Sequence, residues 1–195
     1  MKPYPFSQDE IRSITTQASQ KAAAALADML NTQVEVSLGE FQWISYQQMR
    51  SILEQDIFDG VMVQLGFSGD AEGVSYFFVP RDQLRSLLEP ILAQDQSLRT
   101  TSDYETVILV EIGNVILNIG VGTILNLIVS RVEFKIPQVI YQLQQAWEPG
   151  PAGEPRREEK EDWLFVSSQL STGDKKVRAY ILVLIRSANP GKPIS

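Results

Sequence analysis

Residues 106–129 read TVILVEIGNVILNIGVGTILNLIV, a long stretch with one charged residue. Isoleucine, leucine and valine dominate it, which predicts a helix from about residue 103 to 129 that is buried on a wide arc. Glu111, Asn114 and Asn118 are three and four residues apart, so they share one face of that helix, and Gly122 continues the same stripe. A carboxylate and a carboxamide one turn apart form a compact hydrogen-bonding unit.

The stripe could be a functional site, but the residues alone leave two other interpretations open. The three- and four-residue spacing favours the simpler of these, in which the stripe is the solvent side of a core helix. Residues 112–129 are also uncharged, as a membrane span would be. Three asparagines interrupt them, however, and amides in hydrocarbon are costly without partners. The flanking sequences are typical of a soluble sheet domain, so no membrane span is predicted.

Composition limits the chemistry that this chain can perform. It has 195 residues, 44% of them apolar, which suits one domain covering residues 1–195. It has no cysteine and no histidine, which excludes thiolate nucleophiles, Ser-His-Asp triads and the usual zinc sites, and no metal site is predicted. The net charge is -7 without a basic stripe, so nucleic acid is not an expected partner. No apolar stretch follows the first residues, so no secretory signal is expected and a cytoplasmic location is predicted.

The first half of the chain predicts a helix followed by strands. Ser7 followed by Glu10 is typical of a capping box, and apolar residues at three- and four-residue spacing extend the helix to about Leu30. A strand broken at Gly39, a hairpin of two strands and a second helix follow. These four elements cover residues 34–44, 60–67, 74–79 and 80–93.

The second half repeats this order. Ser102 and Glu105 predict a capping box ahead of the long helix. A strand and a second hairpin then cover residues 131–141, 163–168 and 177–185. A charged loop with several prolines and glycines (148–162) and a loose tail (187–195) are expected outside the core.

The two halves align at nearly constant offsets, which indicates an internal duplication of about residues 7–95 and 102–187. A shift of 98 residues places Val34 on Val132, and a shift of 104 places Tyr76 on Tyr180. The repeat predicts an α+β fold: one mixed or antiparallel sheet with pseudo-two-fold symmetry and two long helices packed on one face. An open sheet edge permits either a monomer or a homodimer.

The run Glu111-Ile112-Gly113-Asn114, followed after twenty-two residues by Pro137, resembles the signature of the CheC, CheX and FliY family of chemotaxis phosphatases. That signature is Asp or Ser, three residues, Glu, two residues, Asn, twenty-two residues, Pro. The portion from glutamate to proline matches without a gap. With the element order, the resemblance covers about residues 7–187.

The resemblance implies an enzyme, a phosphatase acting on the aspartyl phosphate of a CheY-type response regulator in chemotaxis or another two-component circuit. The receiver brings its own Mg²⁺, so the chain would need no cofactor. Asn114 would orient the attacking water, and Glu111 would pair with the lysine that receivers present beside the phosphate.

Four further residues take supporting roles under this resemblance. Asn118 would widen the polar contact with the partner. Gly113 and Gly122 would let the partner's backbone approach the helix closely. Pro137 is expected to be structural, at the strand edge that faces the helix.

The sequence also departs from the family pattern. The position of the family's Asp or Ser is Val107, which removes a hydrogen-bonding group. Carrying the shift of 98 back from the motif reaches Ser13, Thr16 and Gly39, so only the second half is expected to hold a site. These losses keep an alternative open: a non-catalytic CheC-like scaffold that binds a receiver or a CheD-type partner.

Overall fold

The computed structural model describes residues 7–31, 33–45, 47–48, 51–52, 60–94, 103–128, 131–141, 162–172 and 175–187. The helices are α1 (Gln8–Leu30), α2 (Arg81–Gln94), α3 (Tyr104–Val115) and α4 (Gly122–Ile128), and a π-helical segment (Ile116–Val121) joins α3 to α4. We call the continuous stretch 104–128 the second long helix. The strands are β1 (Val34–Ser45), β2 (Gly60–Gly69), β3 (Ala71–Pro80), β4 (Val132–Phe134), β5 (Gln138–Ile140), β6 (Asp162–Thr172) and β7 (Lys175–Ser187).

Both hairpins and the first helix are confirmed, within about two residues for α1 and with longer strands for β6 and β7. Residues 148–161 and 188–195, which carry most of the predicted charged loop and tail, lie outside the described residues.

The two long helices begin differently. In α1 the Ser7 hydroxyl accepts from the Glu10 N–H at 3.3 Å, and the Glu10 carboxylate accepts from the Ser7 N–H at 2.8 Å, which confirms the predicted capping box. The Glu10 carboxylate also accepts from the Ser7 hydroxyl at 2.8 Å. The hydrogen bonds that the carboxylate accepts, from the Ser7 N–H first and the Ser7 hydroxyl second, hold the pKa of Glu10 below its ordinary value. The second long helix has Asp103 as its N-cap, and that side chain makes no capping hydrogen bond. The N-cap is therefore one residue later than the predicted Ser102, which lies outside the described residues.

The described strands form one antiparallel sheet in the order β1-β6-β7-β3-β2-β4, with β5 also paired to β2. The single strand predicted over residues 131–141 is in fact two short strands, because Lys135-Ile136-Pro137 interrupts it. Pro137 has no N–H to donate to a ladder, which explains the break at this sheet edge.

The sheet confirms the pseudo-two-fold repeat. Exchanging β1 with β4 and β5, β6 with β2, and β7 with β3 maps the strand order onto itself. The registers agree as well: Val34 pairs with Thr172 and Val132 pairs with Gly69. The first strand of each half is therefore offset by 98 residues, and β2 and β6 by 103, one fewer than the 104 that relates Tyr76 of β3 to Tyr180 of β7. The same two offsets hold past an irregularity that lies near Gly39 in β1 and at Pro137 in the second half.

The main core lies between the helices and one face of the sheet. Ile14, Ala18 and Leu26 of α1 are buried, and so are the residues 98 positions later in the second long helix. A smaller apolar cluster, comprising Ile44, Met62, Phe78, Leu182 and Leu184, lies within the described residues away from this core.

Residues Tyr104–Asn126 are long and apolar enough to cross a membrane, but 56% of their most apolar window is buried inside the protein. The second long helix therefore packs as a core helix of a sheet domain. Burying each Leu or Ile side chain of this kind is worth about 1.5–3 kcal/mol.

Candidate functional site

The polar stripe of the second long helix is accessible at one end and half-buried at the other. Glu111 is exposed, whereas Asn114 and Asn118 are half-buried. Val107, one turn before Glu111, is 50% exposed, so the position that is Asp or Ser in the resembled signature is an accessible apolar residue here. We call Val107, Glu111, Asn114 and Asn118 the stripe.

Glu111 carries an exposed carboxylate. It makes no hydrogen bond or ion pair with any residue that the structure describes. An exposed, unpaired carboxylate is available to a cation from outside the chain.

Asn114 and Asn118 contact each other. The Asn118 Nδ2 donates a hydrogen bond to the Asn114 Oδ1. The Asn114 oxygen keeps its second lone pair, and within the described residues its NH₂ group has no partner. Sequence reasoning placed Asn118 against a partner protein and missed this contact, although the four-residue spacing would have suggested it.

The helix changes geometry immediately after Asn114. The π-helical segment begins at Ile116 and contains Asn118 as its third residue. Single π turns inside α-helices occur frequently at functional sites. Gly122, the residue after this segment, is buried, so it does not extend the accessible stripe.

The two glycines face the chain's own sheet, not an outside partner. A Cβ on Gly113 would lie 2.6–2.8 Å from three atoms of the Val63 side chain on β2. A Cβ on Gly122 would lie 3.2 Å from the Phe134 ring of β4. Both glycines are buried, which corrects the expectation that they admit a partner's backbone. Instead they let the second long helix approach β2 and β4 closely.

Edge residues of the sheet flank the beginning of the second long helix. The Thr106 and Tyr141 hydroxyls are hydrogen-bonded, which ties the start of α3 to the residue after β5. Tyr141 is 43% exposed, and Val107, next to Thr106, is also accessible. Pro137 is half-buried in the break between β4 and β5.

The corresponding face of α1 carries no such pair. Ser13 and Thr16 occupy the positions of Glu111 and Asn114 and are exposed. The Thr16 hydroxyl donates to the Arg12 carbonyl at 2.9 Å, so it is engaged with its own helix. Within the described part of the chain no three His, Cys, Asp or Glu side chains lie close enough to hold a metal.

No protein-family model and no curated protein matches the sequence. Solved structures do resemble it. The FliM middle domain from H. pylori has a TM-score of 0.62 at 12% identity, with 92% of each chain covered. FliY from Thermotoga maritima has a TM-score of 0.62 at 14% identity, covering 95% of this chain and 93% of the FliY chain.

A chain of the CheX–CheY–BeF3–Mg²⁺ complex from Borrelia burgdorferi has a TM-score of 0.50 at 18% identity, covering 88% of this chain and 97% of that chain. This chain has the CheC-like fold. The predicted resemblance to CheC, CheX and FliY proteins is therefore confirmed for the fold. At identities this low, the function of the CheC-like domain must be inferred from its own residues.

Proposed function

We propose that this CheC-like domain is a phosphatase that accelerates hydrolysis of the aspartyl phosphate on a CheY-type receiver, in chemotaxis or another two-component circuit of the cytoplasm. One observation carries the proposal. Among the residues that the structure describes, the NH₂ group of the half-buried Asn114 and the exposed Glu111 carboxylate one turn away have no partner, and the Asn114 oxygen accepts only from Asn118.

The reaction suits a chain without histidine or cysteine. An acyl phosphate is already activated and carries the receiver's own Mg²⁺, so hydrolysis requires mainly a water held in line with the P–O bond. The water oxygen bonds to phosphorus, the bond to the aspartate oxygen breaks, and inorganic phosphate and a free aspartate carboxylate result. The Asn114 oxygen would accept from the water, and its NH₂ would donate to a phosphoryl oxygen.

Glu111 would anchor the helix on the receiver. Receivers present a lysine beside the phosphate, and a carboxylate without a partner among the described residues is available to accept a charge-assisted hydrogen bond from it. Pairing with that lysine would fix the register of the helix, so that Asn114 reaches the phosphoryl group. Glu111→Gln is expected to weaken binding of the phosphorylated receiver about tenfold, measured by titration.

The test is phosphate release from a phosphorylated CheY-type receiver with wild type, Asn114→Ala and the control Thr16→Ala. Thr16 lies at the equivalent position of α1 and is exposed. Acceleration by wild type and by Thr16→Ala, lost in Asn114→Ala, would support the proposal. Binding of the receiver without any acceleration by wild type would reject it.

A second candidate is a non-catalytic module that binds a receiver or a CheD-type partner. The apolar, half-exposed Val107 favours it, because this residue adds contact area but no hydrogen bond. A chain of the FliG–FliM complex from H. pylori has a similar fold, with a TM-score of 0.62. If this candidate is correct, Val107→Asp should weaken partner binding while no variant changes the rate of phosphate release.

A further inference from the structure

Asn114 and Asn118 form a hydrogen-bonded pair, and the proposed function assigns a role only to Asn114. Both carboxamides are half-buried, whereas Glu111 on the same stripe is exposed. A partly buried amide needs hydrogen-bond partners. The structure provides one by directing the Asn118 Nδ2 at the Asn114 Oδ1.

This contact determines which way the Asn114 carboxamide faces. The terminal torsion of an asparagine side chain is broad, so an isolated Asn114 would present either its oxygen or its NH₂ to a partner. A donor aimed at its oxygen removes that freedom. The oxygen is then held toward Asn118, and the NH₂ group is left for a ligand.

The donor itself is well supported. Asn118 belongs to the π-helical segment, in which Ile116, Leu117, Gly120 and Val121 are all buried. Buried residues on both sides fix the backbone that carries Asn118. By contrast, Asn126 on α4 is an exposed asparagine of the same long helix.

We propose that Asn118 is a positioning residue, which orients the Asn114 carboxamide so that its NH₂ group faces the phosphoryl group of the partner. This proposal rests on the proposed function for its role in catalysis. The orientation of Asn114 can be tested without any partner.

The first measurement is side-chain NMR of the free protein labelled at asparagine, in wild type, Asn118→Ala, Asn118→Asp and the matched control Asn126→Ala. Removing the donor in Asn118→Ala should shift the Asn114 side-chain carbonyl and amide signals. In Asn118→Asp the new carboxylate can only accept hydrogen bonds, so the Asn114 NH₂ should turn toward it. The hydrogen exchange of the Asn114 NH₂ protons should then be slower than in wild type. Asn126→Ala should leave the Asn114 signals in place. Unchanged Asn114 signals in both Asn118 variants would overturn the proposal.

The second measurement is the rate of phosphate release at saturating receiver. Asn118→Ala should lower kcat about tenfold with little change in KM, since one neutral hydrogen bond is lost in the transition state. Asn118→Asp should be slower still, because it turns the Asn114 amide over. A wild-type rate in Asn118→Asp, or a loss confined to KM, would reject the positioning role. If wild type itself is inactive, the proposed function fails, and the NMR signals still decide the orientation of Asn114.

Discussion

The two long helices of this CheC-like domain pack at equivalent positions against the sheet, but they differ in their polar residues, their helical geometry and their contact with the strands. Both bury residues at the same positions, 98 apart, and both pack on the same face of the sheet. Only the second has the carboxylate and carboxamide pair, the π-helical segment and the close approach to β2. The pseudo-two-fold repeat thus supplies the scaffold, while a few residues and one irregular turn distinguish the half that carries the candidate site.

One difference lies in the helix–sheet contact. Gly113 of the second long helix corresponds to Thr15 of α1, and both residues are buried. At Gly113 the backbone leaves no room for a Cβ beside Val63. The second long helix can therefore pack on β2 in this position only with glycine, directly beside the residues of the candidate site.

Replacing Gly113 by threonine, the residue at the equivalent position of α1, should have the largest effect on stability. Gly113→Thr is expected to lower the free energy of unfolding by about 3 kcal/mol, the upper end of the usual range for overpacking, because its Cβ would lie within 2.8 Å of Val63. Urea unfolding measures this. Gly120→Ala is the matched control, since its Cβ would meet only Leu38 at 3.8 Å, and it should be neutral or slightly stabilising. Equal losses in both variants would contradict the close approach.

The first half has its own tie between helix and sheet. The Ser19 hydroxyl accepts from the Leu38 N–H at 3.1 Å and donates to the Thr15 carbonyl at 2.8 Å. Ser19→Ala should therefore cost about 1–3 kcal/mol, because the Leu38 N–H beside the irregularity in β1 loses its acceptor. Ser13→Ala on the exposed face should change the free energy of unfolding by less than about 0.5 kcal/mol. A similar loss in the two variants would show that the tie contributes nothing.

The helix starts give a smaller contrast. Ser7→Ala removes the cap of α1 and should cost about 1 kcal/mol in chemical unfolding. Asp103→Ala should be close to neutral, because the Asp103 side chain makes no capping hydrogen bond. The reverse ranking would show that the two helix starts have been assigned wrongly.

The smallest expected effect is a pH dependence of α1. The pKa of Glu10 is lowered by its hydrogen bonds from Ser7, so the folded state binds its proton less readily than the unfolded chain. The stabilisation is fully present above the ordinary value of 4.5 and is lost as pH falls through the lower, folded pKa. The difference in Tm between wild type and Glu10→Ala should therefore become smaller as the pH falls below 4.5. A gap that stays constant down to pH 2 would argue against this linkage.

The sequence predicted the parts of this fold that depend on periodicity. Alternation and three- and four-residue spacing located α1, both hairpins and the second long helix, and the offset of 98 residues reappears in the strand registers. Each of these elements is indicated by several residues at a regular spacing, so no single residue decides the prediction.

Features set by a single packing contact could not be predicted in the same way. Which side Gly113 faces depends on the position of Val63, fifty residues earlier in the chain. The π-helical segment leaves the apolar pattern intact, so periodicity does not distinguish it from an ordinary turn. The split at Pro137 had a visible signal, since proline interrupts a ladder, but the alternation of polar and apolar residues before it favoured one continuous strand.

The most direct test of the assignment of the site to the second long helix exchanges single residues between the two helices at equivalent positions. Phosphate release from a phosphorylated CheY-type receiver would be measured with wild type, Asn114→Thr and Thr16→Asn. We predict that Asn114→Thr lowers the acceleration about a hundredfold or to the receiver's own rate, because the water is no longer positioned, whereas Thr16→Asn matches wild type. Full activity in Asn114→Thr, or a loss in Thr16→Asn, would contradict the assignment of the site to the second long helix.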